Sequence, residues 1–144
     1  MNDKLGRLKE LLKTRSLKTG DFVLASGRRS KYYFDSKLTT LEAEGAFLTA
    51  DCFLDLIERA GIEADAIGGM TLGADPIVSA VAAVSYQRKT PMDAFIVRKE
   101  EKGHGTGKWI EGPVVPGVKV VMVDDVVTTG GSTLKAIEHA VDFG

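Results

Sequence analysis

The sequence predicts an α/β domain: a parallel sheet flanked by helices, with a small helix and hairpin cap at its N-terminal end. Three observations carry this reading. Short apolar strands alternate with helical patterns from Asp65 onward, the order that builds a parallel sheet covered by helices. The length, 144 residues, is that of one domain and is enough to bury a proper core. A 44% hydrophobic and 27% charged composition is that of an ordinary globular chain, and no repeat or low-complexity tract interrupts it. Residues 1–40 are expected to form the cap and residues 41–144 the α/β core.

The elements follow in order. MNDKLGRLKELLKTRS places leucines at 5, 8, 11 and 12, a helical period whose apolar run is too short for a signal peptide or a membrane span. Asp21 to Ala25 and Lys31 to Lys37 read as two strands joined by the polar turn Ser26-Gly27-Arg28-Arg29-Ser30. Thr39 with Glu42 has the spacing of a capping box, and the apolar positions Phe47, Leu48, Leu54 and Ile57 then run to Gly61, a helix stop. Asp65 to Gly69 is a short strand. In MTLGADPIVSAVAAVSY, Asp75 is placed to cap a helix and Pro76 to occupy its first turn. Met92 to Val97 and Lys119 to Val123 are the next strands, and Thr133 to Phe143 is the last helix.

Charge and cysteine content narrow the function classes. A net charge of −1 gives no bulk attraction to nucleic acid or to a membrane, so any anion site must be local. The single cysteine, Cys52, excludes an internal disulfide and fits a reducing compartment. It lies in an apolar helical pattern, which favours a packed thiol over a nucleophile. A cytoplasmic enzyme or regulator is the expectation.

The most informative stretch is VVMVDDVVTTGGST, Val120 to Thr133. An apolar strand ends in two carboxylates, Asp124 and Asp125, then passes through Val126 and Val127 into Thr128, Thr129, Gly130, Gly131, Ser132 and Thr133 at the start of a helix. Glycines let backbone approach a ligand, and successive amides and hydroxyls at the positive helix end can surround phosphate oxygens. The carboxylates would repel that phosphate, but they can accept hydrogen bonds from vicinal hydroxyls, so a phosphorylated ribose fits the whole run. A lone Asp pair at a strand end is more often a turn or cap. The ordered hydroxyls and glycines that follow reverse that preference.

A second segment, RKEEKGHGTGKWIEGPVVPG, follows Val97 and joins two strands. Long connections of this kind inside a domain are uncommon and often functional, although a charge run is usually a solvated loop. Its glycines match neither familiar nucleotide motif. Gly107-Lys108 is followed by Trp109 where a Walker loop needs Ser or Thr, and Gly103, Gly105 and Gly107 do not lie between a strand and a helix.

VVMVDDVVTTGGST resembles the signature of type I phosphoribosyltransferases, which bind phosphoribosyl diphosphate, PRPP. RKEEKGHG resembles the mobile catalytic loop of orotate phosphoribosyltransferases, SGRRSKYYFDSK their substrate-binding hairpin, and TLGADPI the pyrophosphate-side loop of some members. The similarity covers nearly the whole chain. It implies a type I phosphoribosyltransferase fold and transfer of phosphoribosyl from PRPP to orotate, giving orotidine 5′-monophosphate and pyrophosphate in pyrimidine biosynthesis.

By this resemblance Thr128 to Thr133 hold the 5′-phosphate, with Thr128 also close to orotate, and Val126 and Val127 belong to the same PRPP-binding run. Asp124 and Asp125 bind the ribose hydroxyls and oppose the positive charge that develops at C1. Arg98, Lys99, Lys102 and His104 approach the pyrophosphate, with Mg2+ held mainly by PRPP near Asp124 and Asp125. Lys102 is the stronger catalytic candidate, because a histidine between glycines is usually just exposed. Tyr33 and Phe34 are the orotate-side residues; both could equally be hairpin core, and only one of two adjacent strand residues can face the base. Trp109 is uninformative from sequence. The resemblance further implies a homodimer whose basic loop reaches the neighbouring site, with no nucleic acid or membrane partner.

Three departures accompany it. Ala25 stands where many members have a basic residue, which shifts that contact to Arg28 or Arg29. Gly73 stands where some have lysine, leaving backbone amides. The helix ending near Gly144 is expected to lead into further sheet and an arginine at orotate, so the resemblance implies a C-terminally incomplete chain. A purine phosphoribosyltransferase and a PRPP-sensing regulator are the alternatives; base-dependent turnover separates them.

Overall fold

A computed structural model describes residues 2–23, 27–100 and 108–144. Helix α1 (Asn2–Leu11) runs into a π-helical turn (Leu12–Ser16) and then strands β1 (Leu17–Val23) and β2 (Arg29–Phe34); α2 (Lys37–Thr40) and α3 (Ala43–Arg59) follow. The core continues through β3 (Ala66–Met70), α4 (Asp75–Gln87), β4 (Asp93–Val97), β5 (Ile110–Glu111), β6 (Val120–Met122) and α5 (Gly131–Phe143).

The core sheet has the order β5-β4-β3-β6. Strands β4 and β6 pair with β3 in parallel, as the alternation predicts, whereas β5 pairs antiparallel with β4. The sheet is therefore mixed. The reason is local: the chain after β4 returns alongside it, Val97 opposite Ile110, with the Arg98 amide donating to the Trp109 carbonyl at 2.8 Å. No helical crossover is needed for such a return.

Strand β3 is buried along its whole length, as expected for a central parallel strand covered on both faces. Its side chains alternate between two cores. Ile67 packs with Ala50, Leu54 and Ile57 of α3 and Ile77, Val78 and Val81 of α4. Ala66 and Met70 pack with Phe95, Val97, Ile110 and Ala136, the last from α5. Close packing explains Gly68, where a Cβ would lie 2.2 Å from the Phe95 ring. A small third cluster of Leu8, Leu11 and Leu48 fastens α1 to α3.

Two expected caps form differently. Helix α3 starts at Ala43 with Glu42 at the N-cap and no side-chain cap bond. Thr39 is fully buried and pairs its hydroxyl with Ser16 at 2.7 Å instead. Burial against the π-helical turn thus takes the hydroxyl a capping box would have used. At α4 the N-cap is Ala74, and Asp75 is the first helical residue, accepting from the Thr71 hydroxyl at 2.7 Å. Gly61, at φ +62°, ends α3 as expected. Among the described residues no helix is long and apolar enough to cross a membrane.

The β1–β2 hairpin pairs Leu17 with Phe34 and Lys18 with Tyr33, with an irregularity between Thr19 and Phe22. It begins earlier than the sequence suggests and ends at Phe34. The Asp35 amide ties its exit back to the Ser16 carbonyl at 2.9 Å.

Candidate active site

The carboxyl ends of β3, β4 and β6 point the same way, because these strands are mutually parallel. In open α/β sheets this is the edge where ligands bind. Here it gathers Thr71 to Gly73 after β3, Arg98 and Lys99 after β4, and Asp124 to Thr133 after β6. Sequence separation is erased by strand adjacency.

Asp124 and Asp125 are half-buried, and their surroundings differ. The Asp124 carboxylate accepts from the Asp125 amide at 3.0 Å and from the Thr133 hydroxyl at 2.7 Å, so its donors come from the same motif. Asp125 accepts from the Val126 amide at 3.0 Å and from the hydroxyl of Ser36, which belongs to the cap. Gly73 lies against Asp125 so closely that a Cβ there would sit 2.1 Å from Oδ1. Any side chain at this position would displace the Asp125 carboxylate.

Val126 to Thr129 are exposed, and Gly130 is the N-cap of α5 with φ +81°. A Cβ at Gly130 would meet nothing within 4 Å; the left-handed conformation, not space, calls for glycine. Helix α5 begins at Gly131, two residues earlier than the sequence suggests, and its first backbone bond runs from the Leu134 amide to the Gly130 carbonyl at 2.8 Å. The amides of Gly131, Ser132 and Thr133 therefore sit in the first turn, where helix amides lack intrahelical partners and favour an anion.

The Arg98 guanidinium lies 3.5 Å from Glu111, beside an open cleft of about 330 Å³ that also borders Thr71, Ile96, Lys99 and Glu100. A larger cleft of about 830 Å³ is lined by Asp65, Met92 and Lys119, at the amino ends of the strands and away from the motif. Lys102, His104 and Ala25 lie outside the described residues. Tyr33 and Phe34 are both exposed, so neither is hairpin core; Tyr33 leans on Phe22 with ring centroids 5.6 Å apart. Lys37 is held above its usual pKa, first by its hydrogen bond to Asp35, with contributions from the charges of Asp125 and Tyr33.

Sequence reasoning passed over Ser36, Glu111 and Trp109. No local signal marks Ser36, since its partner is 89 residues away. Trp109 stacks on His139 and carries Lys135 Nζ 5.7 Å from its ring centroid. A lone tryptophan after a glycine-rich run does not reveal a partner on a helix still to come.

No protein-family model matches the chain. An orotate phosphoribosyltransferase of Rhodopirellula baltica is 44% identical over 147 aligned positions, covering 99% of this chain and 76% of the relative. The chain belongs to the orotate phosphoribosyltransferase family. A Synechocystis orotate phosphoribosyltransferase is 49% identical over 138 positions, covering 95% of this chain and 68% of that one. The crystal structure of Mycobacterium tuberculosis orotate phosphoribosyltransferase in complex with PRPP superposes with a TM-score of 0.80 at 34% identity, covering 98% of this chain and 76% of the other. An adenine phosphoribosyltransferase of Leishmania donovani, at 15% identity and a TM-score of 0.59, shares the fold alone. The orotate phosphoribosyltransferase relatives, not the purine enzyme, therefore carry the likeness in sequence.

Proposed function

We propose that the chain transfers the phosphoribosyl group of PRPP to orotate, with roles divided as its site geometry supports. The C1–oxygen bond to pyrophosphate breaks with its electron pair on the leaving group, and a C1–nitrogen bond to orotate forms as that ring nitrogen gives up its proton to solvent. The observation that carries this reading is the acid pair Asp124 and Asp125 set directly before a helix N-terminus entered through Gly130. The α5 amides and the hydroxyls of Thr128, Thr129, Ser132 and Thr133 hold the 5′-phosphate. The two carboxylates accept the ribose hydroxyls and oppose the cationic character at C1, an interaction stronger in the transition state than in the ground state. Arg98 and Lys99 attract pyrophosphate. Lys102 and His104 join them by the family resemblance.

Mg2+ belongs to the same reading. Among the described residues no group of three or more His, Cys, Asp or Glu could hold a metal. The donor chemistry nevertheless fits magnesium, which retains water and is commonly bound by one or two carboxylates together with substrate phosphates. Asp124 and Asp125 are the residues that would lie beside it, and it would neutralise charge on the pyrophosphate. A homodimer and a cytoplasmic location complete the proposal.

The test is orotate consumption by this chain with PRPP and Mg2+, followed by absorbance, with adenine, guanine and hypoxanthine in parallel. Turnover confined to orotate is expected. Purine turnover would overturn the base assignment, and PRPP binding without turnover of any base would favour a regulator. In the active chain, Lys102→Ala should lower kcat far more than PRPP affinity.

A further inference from the structure

Ser36 sits at the N-cap of α2 and is 3% exposed. Its carbonyl accepts from the Thr39 and Thr40 amides, both at 2.9 Å. A serine in this position ordinarily turns its hydroxyl onto the same first-turn amides, but here no side-chain cap bond forms. The hydroxyl donates to Asp125 Oδ2 instead. On the other carboxylate oxygen, Oδ1, the Val126 amide donates at 3.0 Å and Gly73 closes off the space. Asp125 is thus met by its own motif and by two other segments, whereas the Asp124 donors all come from its own motif.

We propose that Ser36 is a positioning residue for the transfer reaction, fixing the Asp125 carboxylate for the ribose; this rests on the activity proposed above. Each carboxylate oxygen has two lone-pair directions. One donor on each oxygen sets the rotation of the group, and the second direction of Oδ2, away from Gly73, is left for a ribose hydroxyl. A neutral donor suits the task, because it orients the carboxylate without cancelling the charge that faces C1. The adjacent cation, Lys37, could cancel that charge. Its ammonium is paired with Asp35 at 3.0 Å, and Asp35 also accepts from the Lys37 amide at 3.2 Å. Asp35 thereby keeps Lys37 occupied while Ser36 makes the contact. Strand β2, carrying Tyr33, ends two residues before Ser36, so the same short segment joins the hairpin to the acid pair.

The experiment is a double-mutant cycle of Ser36→Ala and Asp125→Asn in the full chain, read in steady-state kinetics. Ser36→Ala should lower kcat about tenfold and raise the KM for PRPP only about threefold, the scale of one hydrogen bond to a charged group. In the Asp125→Asn background the same substitution should change kcat by less than about twofold, because the charge that Ser36 orients is gone even though the amide oxygen can still accept from it. Parental kcat in Ser36→Ala, or an equal fold-loss in both backgrounds, would overturn the proposal. If the parent turns over no orotate, the activity proposal fails by itself. The cycle is then read in PRPP binding by calorimetry, where an about threefold loss that vanishes with Asp125→Asn supports the positioning role and additive or absent losses overturn it.

Discussion

The indole of Trp109 lies flat on the imidazole of His139, ring centroids 4.0 Å apart and planes 11° from parallel. This contact joins the start of β5 to α5, the helix whose N-terminus follows the acid pair and is the proposed phosphate cradle. Because Trp109 is the only tryptophan in the sequence, indole fluorescence reports on this one ring and its surroundings. His139→Ala should destabilise the chain by about 1 kcal/mol, the worth of an aromatic pair, and shift indole emission toward that of a hydrated ring. Thermal unfolding and emission spectra check both; an unchanged spectrum would separate the fluorescence from the stack.

Asp51 carries the acid sensitivity of the cap. It is 4% exposed, pairs with Lys4 of α1, and pairs with Arg88 just beyond α4. Burial pushes its carboxyl up, and the hydrogen bonds and charges of Lys4 and Arg88 outweigh that, so its pKa lies below the usual value. A depressed carboxyl pKa gives stability that is complete above the unfolded value of about 3.9 and is lost as pH falls through the folded value. Denaturant unfolding should therefore weaken more steeply below about pH 4 in the parent than in Asp51→Asn. Parallel pH profiles would remove Asp51 from the acid response.

Arg88 also binds Asp55 at 2.8 Å. Among the described residues, Arg88→Ala leaves the buried Asp51 paired with the half-exposed Lys4. The expected cost is about 3 kcal/mol, a fall in the unfolding midpoint of roughly 6–12 °C for a chain of this size. A calorimetric scan decides, and a shift under about 2 °C would show that Lys4 suffices.

Gly73→Ala should act on chemistry more than on stability. Its Cβ would lie 2.1 Å from Asp125 Oδ1, so the carboxylate must move. A misplaced reacting group of this kind costs more than about tenfold in kcat. The half-buried loop should leave the unfolding midpoint near the parent's. Retained kcat with lowered stability would reverse this assignment.

At Gly130 the cost is conformational. Gly130→Ala must adopt φ +81° without meeting any steric neighbour, a strain of about 1–2 kcal/mol. PRPP binding measured by calorimetry should weaken, and Gly130→Asn should recover most of it because asparagine tolerates this conformation. Equal losses in both variants would point away from the backbone.

The sequence by itself determined the α/β alternation and the strand-to-helix junction that carries the proposed cradle, because both are local: apolar period fixes strand and helix, and glycines and hydroxyls mark the turn between them within fourteen consecutive residues. Thr39, Asp75 and Ser36 show where local reading ends. Each has the residue type of a helix cap, and each spends its side chain elsewhere, on Ser16, Thr71 and Asp125 respectively. A polar side chain goes to whichever partner burial brings within reach, and that partner is chosen by packing. Only the tertiary structure therefore decided that β5 runs antiparallel, that Gly73 makes room for Asp125, and that Trp109 finds His139.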